Sequence, residues 1–186
     1  MFVKKTLTLI ELLISMVLFG IVILGVFGLY NTTSKFFTSS KTKSMVLNDL
    51  TYVLDHLDKN VYLSTGWLGD PAISVVSPSA GFFRIYLNQD TSDTPIDFSD
   101  DTTVRYNFNS STNRIRFRDL SGSWNILTER LVNTAGLLIT YDSAEGVLSV
   151  DNLCLRRDPS KPYDAKTNPE ICITGQKFST SMQSLQ

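Results

Sequence analysis

From Leu7 to Tyr30 the chain is almost wholly apolar, with one charged residue, Glu11, and this run follows a short basic leader, Met1-Phe-Val-Lys-Lys-Thr6. An α-helix of about 20 apolar residues crosses a hydrocarbon core of about 30 Å. The uncharged stretch from Leu12 to Tyr30 meets that length. A secretory signal has an apolar middle of about 7–15 residues and a small-residue exit; this run is longer, contains Glu11 and has no Ala-x-Ala exit. An ordinary signal anchor fits the length equally well. The carboxylate is the constraint that narrows the choice, because an ionised Glu in a span costs roughly 2 kcal/mol or more and so has a partner or a task. A cut between Thr6 and Leu7 would supply the partner: the α-amino group of Leu7 would lie at the depth of Glu11, and one chain's amine could pair with the next chain's carboxylate. Lysines flank both ends, Lys4 and Lys5 before and Lys35, Lys41 and Lys43 after, so charge alone does not orient the helix.

The segment Leu7-Thr-Leu-Ile-Glu-Leu-Leu-Ile-Ser-Met-Val-Leu-Phe-Gly20 resembles the start of type IV prepilins and type II secretion pseudopilins. The Thr-Leu-Ile-Glu-Leu-Leu core, the Lys-Lys leader and the position of Gly20 carry the resemblance. Thr6 stands where that family has glycine, and Leu7 where it has Phe or Met. The resemblance implies cleavage between Thr6 and Leu7 by a prepilin peptidase and N-methylation of the new amine. It further implies pairing of Leu7 with Glu11 between subunits. The protein would then be a single-pass protein of the bacterial inner membrane, with its globular part extracytoplasmic and assembled into a pilus or pseudopilus.

The chain has 186 residues, 17 basic and 18 acidic, for a net charge of −1. Behind the span, enough chain remains for one domain with its own core. No nucleic-acid footprint is visible in this balance. The two cysteines, Cys154 and Cys172, are either buried thiols or a disulfide; export to an oxidising compartment, as the resemblance implies, favours the disulfide. With the one histidine, His56, far away in sequence, they fall short of a four-ligand zinc site.

Helical periodicity continues beyond the span. Val46, Leu50, Val53, Leu54, Leu57 and Val61 share one helical face, whereas Asp49, Asp55, Asp58 and Lys59 fall largely on the other. No proline interrupts Leu7 to Ser64, and Gly66 marks an end near Thr65. Such a helix would be about 87 Å long at 1.5 Å per residue. Gly20, Gly25 and Gly28 within the span suit tight helix packing or local unwinding, or are simply tolerated.

Short segments rich in Val, Ile, Phe and Tyr follow: Ala72 to Ser77, Phe82 to Leu87, Thr103 to Phe108, Asn113 to Arg118, Leu137 to Tyr141 and Gly146 to Val150. Alternation in Val104 to Phe108 and Arg114 to Arg118 predicts a hairpin with a longer loop. Its outer side carries Arg105, Arg114, Arg116 and Arg118, either a docking surface or, more simply, a solvated face. Leu137 to Tyr141 lacks alternation and reads as a more buried strand. The aspartate-bearing stretch Asn88 to Asp101 reads as an exposed loop without the ligand spacing of a calcium site. Arg156 to Glu170, with three prolines, reads as a second loop between the cysteines. The tail from Gly175 is a last edge strand or disordered.

The fold expected is α+β: a long N-terminal helix, transmembrane and then amphipathic, packed on an antiparallel β-sheet domain in the pilin manner. Its divisions are a leader at 1–6, the membrane half of the helix at 7–30, the amphipathic half at 31–65 and the β-rich domain at 66–186. No Gly-x-Ser-x-Gly, Walker loop, His-Glu-x-x-His or Cys-x-x-Cys occurs, and His56 reads as a helix-surface or interface residue. The chain is therefore read as a structural subunit, not an enzyme, without cofactor or metal. The resemblance implies a minor pilin or minor pseudopilin of the J- or W-type that initiates or caps a filament. Its partners would be other subunits, the prepilin peptidase and the inner membrane. The alternatives are a major pilin, or a signal-anchored envelope enzyme or binding protein.

Overall fold

A computed structural model describes residues 8–64, 72–78, 81–88, 102–109, 111–119, 121–132 and 136–180. One long helix, α1 (Leu9–Tyr62), precedes ten strands: β1 (Ile73–Ser77), β2 (Phe82–Asn88), β3 (Thr102–Asn109), β4 (Arg114–Arg118), β5 (Trp124–Thr128), β6 (Leu138–Asp142), β7 (Val147–Asp151), β8 (Leu153–Arg156), β9 (Glu170–Ile173) and β10 (Gln176–Ser179). The chain divides into two compact units, Met1–Lys41 and Thr42–Gln186.

From Leu9 onward the first unit is helix, part of an element long and apolar enough to cross a membrane. Its large side chains are exposed all round, Leu24 at 73% and Phe27 at 63% among them. The helix runs unbroken past Gly20, Gly25 and Gly28, so these residues mark no unwinding; a Cβ added at any of them meets nothing within 4 Å. The hydroxyls of Ser15, Thr32 and Thr38 donate to the carbonyls of Glu11, Gly28 and Ser34, four residues earlier, at 2.7, 3.0 and 2.9 Å. These three hydroxyls are thus satisfied by the helix itself.

In the second unit the helix is amphipathic. Thr42, Val46, Leu50, Val53, Leu57 and Val61 are buried, at the spacing of one helical face. The five apolar residues, Val46 to Val61, join Phe83, Ile85, Val104, Tyr106, Phe108 and Ile115 of the sheet in one core. The helix ends at Tyr62, slightly before the expected Thr65. The amide of Ser64 turns back to the Val61 carbonyl at 3.0 Å, and its hydroxyl does so at 2.6 Å. Asp49 departs from the solvent face assigned to it: it is half-buried against Arg130.

Strands β1 to β5 form an antiparallel sheet in chain order. The β3–β4 hairpin pairs Phe108 with Ile115 and Asn109 with Arg114. Asn113 closes its loop at φ 56°, a left-handed conformation that asparagine tolerates. Gly81, at φ +59°, leads into β2; a Cβ there would lie 2.5 Å from the Phe108 side chain, so the close approach requires glycine.

Strands β7 to β10 make one long hairpin that changes sheet midway. β7 pairs with β10 and β8 with β9. The kink falls where both arms are left-handed, at Asn152 (φ 55°) and Gly175 (φ 66°), and the Gly175 amide donates to Asp151 Oδ1 at 2.6 Å. β6 is the outer strand of the β10-β7-β6 sheet. That edge position corrects the expectation of a more buried strand: Ile139 is buried, while Leu138, Thr140 and Asp142 are exposed. β10 is the other edge, which settles the segment after Gly175 as strand as far as Ser179. Beyond Asn88, the expected loop to Asp101 and its aspartates lie outside the described residues, as do residues 181–186.

Candidate functional site

Four places carry polar groups that helix and sheet formation alone do not explain. The first is the start of α1. Thr6 and Leu7, the expected cleavage pair, lie outside the described residues. Glu11 does not: its Oε2 accepts from the Thr8 amide at 3.0 Å and from the Thr8 hydroxyl at 3.1 Å. Thr8 precedes the first helical residue, so Thr8-x-x-Glu11 has the spacing of a capping box, in which the third helical residue reaches back to the otherwise unsatisfied first amide. The carboxylate therefore has a role within its own chain, and it is held one residue from Leu7. Pairing with another chain's amine, as expected from the sequence, would be a task beyond this cap. The Thr-x-x-Glu spacing was the signal from which this cap was readable.

The second lies between the amphipathic half of α1 and the sheet. Tyr106, fully buried on β3, places its hydroxyl 2.7 Å from His56 Nδ1 and 2.9 Å from Asn60 Nδ2. Phe117 packs on the imidazole with ring centroids 4.3 Å apart. Burial and the charge of Lys59 lower the pKa of His56, and burial raises that of Tyr106. A neutral imidazole whose Nδ1 accepts a hydrogen bond from the tyrosine hydroxyl suits both shifts. His56 is thus the interface residue of the two expected placements, engaged in holding helix to sheet.

The sign of the pH dependence follows. Because the folded state holds His56 below its unfolded pKa of about 6.5, the unfolded chain binds more protons there, and stability falls as pH drops below about 6.5. We expect the denaturation midpoint to fall between pH 7 and pH 5, and the His56→Phe variant to flatten that slope. An unchanged slope in the variant would remove His56 from the account.

The third is an ion pair. Arg130 Nε donates to Asp49 Oδ2 at 2.6 Å, the Thr128 hydroxyl donates to the same oxygen at 3.3 Å, and Arg130 Nη1 donates to the Arg157 carbonyl at 2.9 Å. This clamp ties the helix to the segment after β5 and to the long hairpin. Sequence reasoning missed it because helical periodicity alone put Asp49 outside.

The fourth is the tip of the long hairpin. Cys154 and Cys172 are paired residues of β8 and β9 and form a disulfide, S–S 2.03 Å, so neither sulfur is a free thiolate. Two pairs further towards the tip, Arg156 and Glu170 form a largely buried ion pair. Beyond it the loop is ordered by side chains. Asn168 donates to the carbonyls of Asp158, Lys161 and Pro162 at 2.9, 3.2 and 2.9 Å, and accepts the Asp158 amide at 2.8 Å. Asp164 accepts the amides of Lys166 and Thr167 at 2.8 and 3.1 Å. Hydrogen bonds from Ser160 to Asp158, and from the Lys166 and Thr167 amides to Asp164, lower the pKa of both carboxyls.

Known proteins add no further constraint. No family model matches the chain, and neither a curated protein nor a solved structure matches it. What stands on the page is an apolar helix capped by its own Glu11, a domain clamped to the amphipathic half of that helix, and a disulfide-bound hairpin tip.

Proposed function

We propose that the chain is a minor subunit of a type IV pilus or type II secretion pseudopilus, one that initiates or caps the filament. The observation that carries this reading is Leu7-Thr-Leu-Ile-Glu-Leu-Leu behind a Lys-Lys leader, at the head of a helix whose apolar side chains are exposed around its whole circumference. Such a helix is stable in lipid, or packed among copies of similar helices. A disulfide in the second unit accords with export. In this reading a prepilin peptidase cuts between Thr6 and Leu7, and the new amine is N-methylated. The chain waits in the inner membrane with its domain extracytoplasmic. On assembly, the Leu7 amine of one subunit is neutralised by Glu11 of a neighbour, while the domain faces outward. Glu11 separates this subunit from terminal pseudopilins that lack the carboxylate.

Mass spectrometry of the N-terminus tests the reading. Chains recovered from the envelope should begin at Leu7 and carry a methyl group. The Thr6→Gly variant should be cut faster, because it restores the residue that the family has before the cut. An intact Met1 terminus on assembled chains would overturn the proposal and leave an ordinary signal anchor.

A further inference from the structure

The outer face of the five-stranded sheet is not used by the filament reading, and its make-up follows from strand register. Arg84 lies opposite Arg105, Arg105 opposite Arg118, and Arg118 opposite Trp124. The neighbouring row holds Phe82, Asn107, Arg116 and Ile126. Intervening residues such as Phe83, Ile85, Val104, Tyr106 and Ile115 are buried in the core, so both rows stand on the other side of the pleat. With strands about 4.8 Å apart, three guanidinium-bearing side chains cross only about 10 Å of sheet.

Fold stability does not favour this arrangement, since like charges directly opposite one another weaken a strand pair. Nor, among the described residues, do carboxylates offset the cost. Arg114, one row further along, is paired with Glu129 at 2.8 Å. Among the described residues, Arg84, Arg105, Arg116 and Arg118 form no ion pair. The Nε atoms of Arg84 and Arg116 and the Oδ1 of Asn107 are buried without a hydrogen-bond partner, a condition that buried polar atoms rarely keep. Arg118 is oriented by the Gly122 carbonyl, which its Nε meets at 2.6 Å, and the Arg116 guanidinium sits 4.9 Å from the centroid of Trp124. At the β5 edge of the face, Trp124 and Ile126 are 41% and 49% exposed.

We propose that this face docks an acidic segment of another protein, whose carboxylates pair with the Arg84, Arg105, Arg116 and Arg118 guanidinium groups and whose apolar side chains rest on Phe82, Trp124 and Ile126. The planar guanidinium fork matches a carboxylate with two parallel bonds. An extended chain repeats its same-side residues at about 6.8 Å, the repeat of Arg116 and Arg118 along β4. Arginine and tryptophan are also the residues that dominate protein interfaces. A nucleic acid is the poorer fit. Its binding rests on a wide basic field, whereas here the basic charge is local to a chain of net charge −1.

The test uses the full chain in detergent with two fluorescent probes, an alternating Glu-Val peptide and an oligothymidylate of equal charge. The peptide should bind saturably, with affinity falling as salt rises. The Arg84→Gln/Arg105→Gln double variant should weaken it about tenfold, and Arg114→Gln should change it less than about twofold. The melting midpoint of Arg105→Gln should equal or exceed that of the unaltered chain, because a like-charge contact is relieved. Absence of saturable peptide binding, indifference to the double variant, tighter binding of the oligonucleotide or a lowered midpoint would each overturn the proposal.

Discussion

Glu11→Val should insert into the membrane at least as readily as the unaltered chain, still be cut after Thr6, and be nearly absent from filaments. Insertion improves because a carboxylate in a span costs roughly 2 kcal/mol or more. Assembly suffers because the Leu7 amine of a neighbour would face lipid without a counter-charge, and opposite charges at low dielectric attract several-fold more strongly than in water. The cap complicates this variant, since valine also abandons the bond to the Thr8 amide, worth about 1 kcal/mol. Glu11→Gln separates the two roles. Glutamine closes a capping box as glutamate does, but carries no charge. On the pairing account both variants fail to enter filaments beside unaltered subunits, and blocking the amine as well restores part of the loss. Normal incorporation of Glu11→Gln with loss of Glu11→Val would instead assign the carboxylate to the helix start alone. Domain folding is unaffected in either case, because the buried face of the helix begins only at Thr42.

Replacing both Cys154 and Cys172 by serine should cost about 3 kcal/mol of stability, the loop-closure contribution of a bridge across this length of chain. The disulfide is placed two residue pairs behind Arg156 and Glu170 and closes the stem of the hairpin tip. Its loss should therefore be felt first in residues 157–169, whose order depends on Asn168 and Asp164. Faster amide exchange confined to that tip, with a lowered unfolding midpoint, is the expected pattern. A stability change below about 1 kcal/mol would mean that the tip network holds the stem without the bridge.

Periodicity made the main features legible. The buried face from Val46 to Val61 and the hairpin of β3 and β4 were readable because each element has one clean apolar face, and four further strands because they are short runs rich in Val, Ile, Phe and Tyr bounded by turn residues. What escaped notice was structure whose pattern is broken by its partners. β5 shows no alternation because its pairing with β4 slips between Ile115 and Arg116, which leaves Leu127 and Thr128 buried in succession. β8 and β9 are not picked out because each is four residues long, and the expected loop Arg156 to Glu170 takes in one end of each. The kink at Asn152 also hides β8 as the continuation of β7. Asp49 and Arg130 are far apart in sequence, and no local rule joins them. Of the candidate assembly residues, Glu11 was singled out on the cost of its charge, yet the cap it forms with Thr8 rested on a spacing that was equally plain.

The two sulfurs of the bridge differ in access: Cys154 is 4% exposed, whereas Cys172 is exposed. Thiol–disulfide exchange begins with a thiolate striking one sulfur, and its rate depends on access and on the acidity of the departing thiol. Here attack is directed to Cys172, and the departing thiolate emerges at Cys154, buried and within 4.8 Å of a Glu170 carboxylate oxygen, a setting that disfavours its charge. Such a leaving group departs slowly and, held opposite its partner by the β8–β9 pairing, returns to it quickly. Reductants in the surroundings would therefore open the hairpin tip far more slowly than the exposure of Cys172 alone suggests.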